Sequence, residues 1–358
     1  GGQYAPLAFL SYLVLYAGFG YDPFYFHMFS LLLHIGCVCL VWKLISSLLR
    51  VHGGVSEKQI LYVNFITTLL FAVHPINVEA VAWISALKVL LYAFFYLLGL
   101  LCYLRYIRTS KIFYYVLTIG CFLCSFWGKE QAVTFPLALL IVDWFTNRNM
   151  KNLEVWSEKM SFLIMAFFFG IITVLSQGKG PYEMIFPLYQ RLLFGCFALV
   201  EYITKSLLPV NLNFFYPFPI VLGEEPPLHY YLYPVVLLFL MGWIIAYRNN
   251  RYLVFGVLLF LVNLLFSIHL FNMSRHAIVA DRYMYLSYVG IAFLIANGIW
   301  WLRKRLSYFK AALVFLFFYC FFLSVYTFHY TKKWENTTMV KKYTKEVLEK
   351  RLNGSNHL

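Results

Sequence analysis

Long apolar runs recur along the chain, separated by short polar breaks, and this spacing predicts a bundle of membrane-crossing helices. A spanning helix needs about 20 mostly apolar residues. Ten segments qualify or come close: 25–49, 60–74, 87–107, 113–127, 131–146, 160–176, 229–247, 252–271, 284–302 and 309–330. The polar pair Lys129-Glu130 interrupts the apolar stretch 113–146, which therefore reads as a tight helical hairpin. Two further stretches predict helices that do not cross. Residues 4–19 carry Pro6 in their first turn and stop at Gly18-Phe19-Gly20, a helix too short to span. Residues 189–208 are apolar but hold Arg191, Glu201 and Lys205, charges that are costly at bilayer depth, so this helix is expected along the membrane surface.

The fold class that follows is an all-α polytopic membrane bundle. Residues 1–24 form an outer-face interfacial segment and 25–176 the first six spans. Residues 177–228 form an outer loop with the interfacial helix, and 229–330 the last four spans. Residues 331–358 make a polar outer tail. Composition agrees: 62% of residues are hydrophobic and 12% charged, against roughly 45–50% and ~25% in soluble domains. That excludes a disordered chain, a coiled coil, a secreted disulfide scaffold and a nucleic-acid binder. The 21% aromatic content suits a chain with two membrane interfaces. The seven cysteines all lie in apolar segments, and Cys121–Cys124 has no second ligand pair nearby, so they read as small hydrophobes.

The net charge of +14 is explained by topology rather than by a polyanionic partner. With the loop after 25–49 in the cytoplasm, the loops on that side hold fourteen basic residues, Arg50, Arg105, Arg148, Arg251 and Arg303 among them, against seven outside. The alternation survives only if 189–208 does not cross. The tail from Lys332 onward then lies outside.

On this topology the polar groups near the spans collect on the outer face. His74 to Trp83 form the first outer loop, with Lys88 starting the next helix; Lys129-Glu130 form the second; Arg275 and Asp281-Arg282 belong to the last. Each residue alone is readable as an ordinary loop charge or interfacial anchor. As a group, Lys129, Arg282, Lys88 and Arg275 have the chemistry to hold a phosphate by charge-assisted hydrogen bonds. Glu79, Glu130, Asp281 and His74 are candidates to orient those cations or to contact a sugar or an acceptor hydroxyl. The chain has no P-loop, no GxGxxG and no HExxH. Its nearly uncharged midplane and lack of a clear internal repeat argue against a transporter.

Longer motifs are recognisable. Leu70-Phe71-Ala72-Val73-His74-Pro75-Ile76-Asn77-Val78-Glu79-Ala80-Val81-Ala82-Trp83-Ile84-Ser85 is similar to "LFAVHPIHTEAVAWIS". Gly128-Lys129-Glu130, Ala132-Val133-Thr134-Phe135-Pro136 and Asp143-Trp144 are similar to "SKE-x-AVTLP … DW", and Ala280-Asp281-Arg282-Tyr283-Met284-Tyr285-Leu286 to "ADRYLYL". Tyr4-Ala5-Pro6-Leu7 and Gly20 to His34 resemble "YRPL … G-x-x-P-x-x-F-H-x-x-N-x-x-L-H". Together, over residues 4–335, the chain resembles the TMTC family, transmembrane O-mannosyltransferases with appended TPR repeats, and its bacterial relatives. There are departures. The family's "SGRKD" stands here as Ser85-Ala86-Leu87-Lys88-Val89, and its "SKE" as Gly128-Lys129-Glu130.

The resemblance implies a GT-C membrane glycosyltransferase, with eleven spans if one precedes residue 1. Such enzymes move a sugar, mannose or a similar hexose, from a polyprenyl-phosphate carrier to a protein or glycan hydroxyl outside the cytoplasm. It implies a bacterial inner membrane, or the endoplasmic reticulum in a eukaryote. The polyprenyl-phosphate sugar is then a substrate, and neither metal nor other cofactor is required. The bilayer, the carrier lipid and the acceptor are the partners, and nucleic acid is not one. The family's catalytic acid lies in the first outer loop, ahead of residue 1, so the stretch in hand is expected to be inactive alone; a TPR array would begin in the tail. Two rivals remain open: a polyprenyl-linked glycan polymerase or ligase, and a non-catalytic membrane scaffold of the same fold.

Overall fold

The structure, a computed structural model, describes residues 5–176, 186–269 and 277–355. Those residues are mostly helical, with an irregular segment over 208–227 and a single antiparallel bridge between Tyr216 and Val279. The chain opens with α1 (Pro6–Phe19), and Gly20 ends it with a positive φ, as Pro6 and Gly20 predict. Asp22 caps α2 (Pro23–His52) by accepting from the Phe24 amide, and Ser56 caps α3 (Glu57–Val73) through the Gln59 amide. Pro75 halts α3: it has no N–H to offer, and it forces His74 into an extended conformation. The chain turns by 51° there and continues through α4 (Val78–Ala82) into α5 (Leu87–Thr109).

Then come α6 (Ile112–Gly128), α7 (Phe135–Phe145) and α8 (Leu153–Ser176). The second half holds α9 (Leu188–Leu207), α10 (Leu232–Ala246), α11 (Arg251–Leu264), α12 (Met284–Trp301), α13 (Leu306–Thr331) and α14 (Thr337–Ser355). The stretches through α5 and α12 are the most enclosed of the apolar spans. Between α11 and α12 the backbones nearly touch, since a Cβ on Gly290 would lie 2.5 Å from the Gly256 carbonyl oxygen. Small residues at a crossing are how helices approach closely where lipid removes the hydrophobic drive between them.

Each of the ten predicted segments overlaps a helix, though the helix in 252–271 stops at Leu264 and residues 270–271 lie outside the described residues, and the helix lengths are unequal. Among the described residues six helical stretches are long and apolar enough to cross a membrane: Pro23–His52, Ile84–Thr109, Leu153–Ile172, Leu228–Ala246, Asp281–Lys304 and Leu306–Trp334. The bent pair Glu57–Val73 and Pro75–Ala82 makes a seventh if it is one span. The expected count of about ten is therefore not reached by length. The helices α6, α7 and α11 have 17, 11 and 14 residues. At 1.5 Å per residue, α7 covers about 16 Å of a hydrocarbon core about 30 Å thick. Part of the predicted 131–146 segment is instead a 3₁₀ turn, Glu130–Thr134. Helix α9 is long enough to cross but carries three charges and is not among the apolar stretches. Its buried side includes Gln190, Phe194, Ala198, Tyr202 and Lys205, while Tyr189, Leu192 and Leu207 are exposed.

The loops sort to two ends as the charge alternation requires. At one end His52 bonds the Phe145 carbonyl at 2.7 Å, Asn147 donates to the His52 carbonyl and Arg251 to that of Trp144. A dense ion cluster sits there. Arg148 binds Glu158 through two bonds of 2.6 and 2.9 Å, Lys159 pairs with Asp143, and the Tyr103 hydroxyl donates to both Asp143 oxygens at 2.9 Å. Lys159 counts as a loop charge by its position in sequence, yet its side chain is fully buried. At the other end lie His74 to Ser85, Lys129-Glu130, Asp281-Arg282 and α14.

Candidate functional site

The candidate site begins with the break at Pro75. Below it, Asn77 ties itself to the end of α3 by donating to the Phe71 carbonyl at 2.7 Å, and His74 Nδ1 accepts from the Ile76 amide at 3.2 Å. These bonds wind residues 75–82 into short helical turns and aim Glu79 into the protein, where it is wholly buried. A buried carboxylate needs a partner. Arg282 supplies two bonds, from its amide to Glu79 Oε2 at 2.7 Å and from its guanidinium to Oε1 at 2.5 Å. The guanidinium also lies 5.4 Å from the Trp83 ring centre and 5.1 Å from that of Tyr283.

Lys129 reaches the same tyrosine from the opposite half of the sequence. Helix α6 ends at Gly128, where the chain is pressed against α5: a Cβ there would lie 2.8 Å from the Tyr92 amide nitrogen. Ser125 fastens the contact by donating to the Tyr92 carbonyl at 2.9 Å. Lys129 then leaves the helix in an extended conformation, and its side chain is only 2% exposed. Its ammonium stands 4.7 Å from the Tyr283 ring centre. Two cations thus flank one aromatic ring, each within cation–π range of about 6 Å. Lys88, half-buried at the start of α5, lies within electrostatic reach of Glu130, Arg282 and Tyr283.

Asp281 faces the other way. It is fully buried, and its neighbours are Lys205 of α9 at 3.4 Å and the Tyr216 hydroxyl, which donates at 3.0 and 2.9 Å to its two oxygens. The Lys205 ammonium stands 3.5 Å over the Tyr216 ring. Burial, reinforced by the Asp281 charge, holds the Tyr216 phenol far above its ordinary range, so it stays a donor.

The structure therefore brings together Lys129, Arg282, Lys88, Glu79 and Glu130 around Tyr283, with Asp281 next in the chain to Arg282. His74 lies apart from Tyr283, its ring 4.2 Å from that of Tyr288. Arg275 lies outside the described residues. Sequence reasoning passed over Tyr283, Trp83, Tyr216 and Lys205 as site members. Lys205 was visible as a charge on the buried stripe of an amphipathic helix, and Tyr283 as the neighbour of Arg282. Nothing in the sequence ties Tyr216 to Asp281.

Two grooves open beside this cluster. One, of about 830 Å³, runs between α2 and α13 with His27, His34, His74, Val81, Thr327 and Phe328 among its walls. The other, of about 990 Å³, lies under α14 with Trp83, Phe214, Trp334, Val340 and Thr344. They share Pro23, His27, Ala82, Trp334 and Glu335. Lys129 and Arg282 line neither, and Trp83 stands between Arg282 and the second groove. Helix α9 lines neither groove, so it does not cover the one that opens beside α13.

Comparison with known proteins finds relatives that match just under half of the chain. The chain is 34% identical over 160 residues to human "Protein O-mannosyl-transferase TMTC2", 43% of this chain and 18% of that protein. It is 30% identical over 184 residues to the Xenopus laevis tmtc2 protein, 49% of this chain and 21% of that one. With Drosophila melanogaster Tmtc3 it shares 28% over 172 residues, 43% of this chain and 18% of that protein. The chain resembles the TMTC protein O-mannosyltransferases. The matched stretch is about a fifth of these relatives' own length. No family model and no solved structure matches this chain.

Proposed function

We propose that the protein is a GT-C membrane glycosyltransferase that moves mannose or a similar hexose from a polyprenyl-phosphate carrier to a protein or glycan hydroxyl on the non-cytoplasmic side. The observation that carries this reading is the convergence of Lys129 and Arg282 on Tyr283 at the end of the bundle opposite the basic loops. The TMTC resemblance supports the reaction class.

In such a transfer the acceptor oxygen forms a bond to the anomeric carbon, the bond from that carbon to the phosphate oxygen breaks, and the hydroxyl proton passes to a base. Negative charge grows on the departing lipid phosphate. Cations fixed in a site poor in water stabilise that charge far better than mobile ones in bulk solvent. Lys129 and Arg282 are so fixed: the first is buried against an aromatic ring, the second is held by Glu79. Lys88 adds positive charge to the same cluster. Glu79 and Asp281 are each committed to a cation, which makes them orienting groups and leaves the base role to another carboxylate. We assign sugar or acceptor contacts to Glu130, beside Lys88, and to His74, in the wall of the groove between α2 and α13. The carrier's lipid tail is assigned to the groove between α2 and α13, whose walls are largely apolar.

The test is transfer itself. The full-length chain in lipid vesicles, given radiolabelled polyprenyl-phosphate mannose and a hydroxyl-bearing protein acceptor, is expected to label the acceptor. Full-length protein that leaves all label on the lipid overturns the reading.

A further inference from the structure

Tyr216 sits in the loop after α9 and makes more contacts to the Asp281 turn than packing alone requires. Its hydroxyl donates to both Asp281 oxygens, at 3.0 and 2.9 Å, and accepts from the Asn213 amide at 2.7 Å. Its carbonyl accepts from the Ile278 amide at 2.9 Å. Its ring lies under the Lys205 ammonium at 3.5 Å. Asp281 opens the 3₁₀ turn Asp281–Tyr283, which carries Arg282 and Tyr283. One residue thus holds that turn by side chain and backbone together.

The loop that carries Tyr216 is itself held from outside. Thr344 of α14 donates to the Asn213 side-chain oxygen at 3.2 Å, and Tyr343 donates to the Leu212 carbonyl at 3.1 Å. Val340 and Tyr343 pack with Leu212, Tyr330 and Trp334 in a small apolar cluster of their own. A continuous series of bonds therefore runs from α14 through residues 212–216 to Asp281.

We infer that Tyr216 is a positioning residue for the cation site, and that α14, docked on residues 212 and 213, sets Tyr216 and through it the placement of Arg282 and Tyr283. The kinetic consequence rests on the phosphate reading of the preceding subsection; the structural coupling does not. Helix α14 becomes an input: whatever shifts it on the outer face alters the turn beneath it.

Two readouts on the full-length chain in lipid nanodiscs test this. The first is amide hydrogen exchange at Ile278, Ala280 and Arg282. Tyr216→Phe keeps the ring beneath Lys205 and removes only the hydroxyl. A hydrogen bond to a buried charge is worth about tenfold or more in an opening equilibrium, so exchange at these amides should rise by about that factor. Tyr343→Phe with Thr344→Val removes the bonds of α14 to residues 212 and 213 and should raise exchange at the same amides. Combined with Tyr216→Phe it should add little, because contacts in one series are not additive. The second readout is transfer kinetics per folded molecule. Tyr216→Phe should raise the donor KM about tenfold and leave the acceptor KM unchanged, a split that mere loss of folded protein cannot produce. Unchanged exchange at 278–282 in the α14 variant, or additive effects of the two sets, overturns the inference. Faster exchange in a chain whose wild type transfers no sugar upholds the coupling and rejects the enzymatic reading instead.

Discussion

Lys129 and Arg282 both stand against the Tyr283 ring, at 4.7 and 5.1 Å from its centre. They come from the two halves of the sequence, and neither lies on a regular helix. One follows a glycine that lets α6 press on α5; the other follows an aspartate locked by Tyr216 and Lys205. Both are held by packing before any ligand arrives, which is what charge stabilisation of a leaving phosphate demands.

Removing either cation from the full-length chain should reduce sugar transfer by about a hundredfold or more, the usual loss for one such contact. The two variants differ in their side effects. Lys129→Ala removes a buried charge and its contact with the Tyr283 ring. Arg282→Ala strands Glu79 in the interior and should destabilise the fold as well. Adding Glu79→Gln should recover stability and not transfer. Recovery of transfer in that double variant would show that Arg282 serves only to neutralise Glu79. Arg105→Ala, an exposed change at the other end, should be silent in both assays.

Gly128→Ala tests the placement of Lys129 without touching its charge. The new methyl would sit 2.8 Å from the Tyr92 amide nitrogen, and backbone cannot rotate away as a side chain can. Helix α6 must slide outward and carry Lys129 with it. Overpacking of this kind costs typically 1–3 kcal/mol. We expect a lowered thermal midpoint and a loss of transfer larger than the loss of folded protein. Equal losses in the two assays would mean that Lys129 tolerates displacement.

Much of this was legible in the chain. The apolar runs located the helices, Pro6 and Gly20 bounded α1, and Glu79, Lys129 and Arg282, picked out beside apolar runs, come together in space. Length was misjudged where polar breaks are internal: 131–146 reads as one apolar run, but Lys129 is drawn inward and Glu130–Thr134 tighten into a 3₁₀ turn, so that only eleven residues form α7. Pairing was not legible. Glu79 and Asp281 look equivalent in sequence, two acids in polar breaks between apolar runs. Only three-dimensional packing gives Arg282 to the first and Lys205 with Tyr216 to the second.

The two ends of the bundle give a topology prediction. The basic bias assigns the end with Arg105, Arg148, Arg251 and Arg303 to the cytoplasm. Cysteines introduced at Arg105 or Arg303 should resist a membrane-impermeant thiol reagent added from outside and react after the membrane is opened. Cysteines at exposed Lys341 or Lys345 of α14 should react at once. The opposite pattern would invert the molecule and move the cation site to the cytoplasmic side.

At the end of the bundle that carries Arg148 the Asp143 cluster predicts a purely structural phenotype. Lys159 and Asp143 are fully buried and paired, Arg148 bridges Asp143 to Glu158, and Tyr103 donates to both Asp143 oxygens. The Glu158 hydrogen bond comes first among the influences that hold the Arg148 guanidinium above its ordinary range, so its charge is permanent. These bonds join α5, the end of α7 and the start of α8, and α7 is too short to hold its position by length alone. Breaking a buried pair from one side leaves a charge in low dielectric and typically costs about 3–5 kcal/mol. Lys159→Met should therefore lower the thermal midpoint sharply. Asp143→Asn in the same chain removes the stranded charge and should recover most of the loss. Because the cluster lies at the end of the bundle away from Lys129 and Arg282, the double variant should keep its donor KM. A donor KM that shifts with Asp143→Asn, in protein of restored stability, would show that this cluster acts on the cation site.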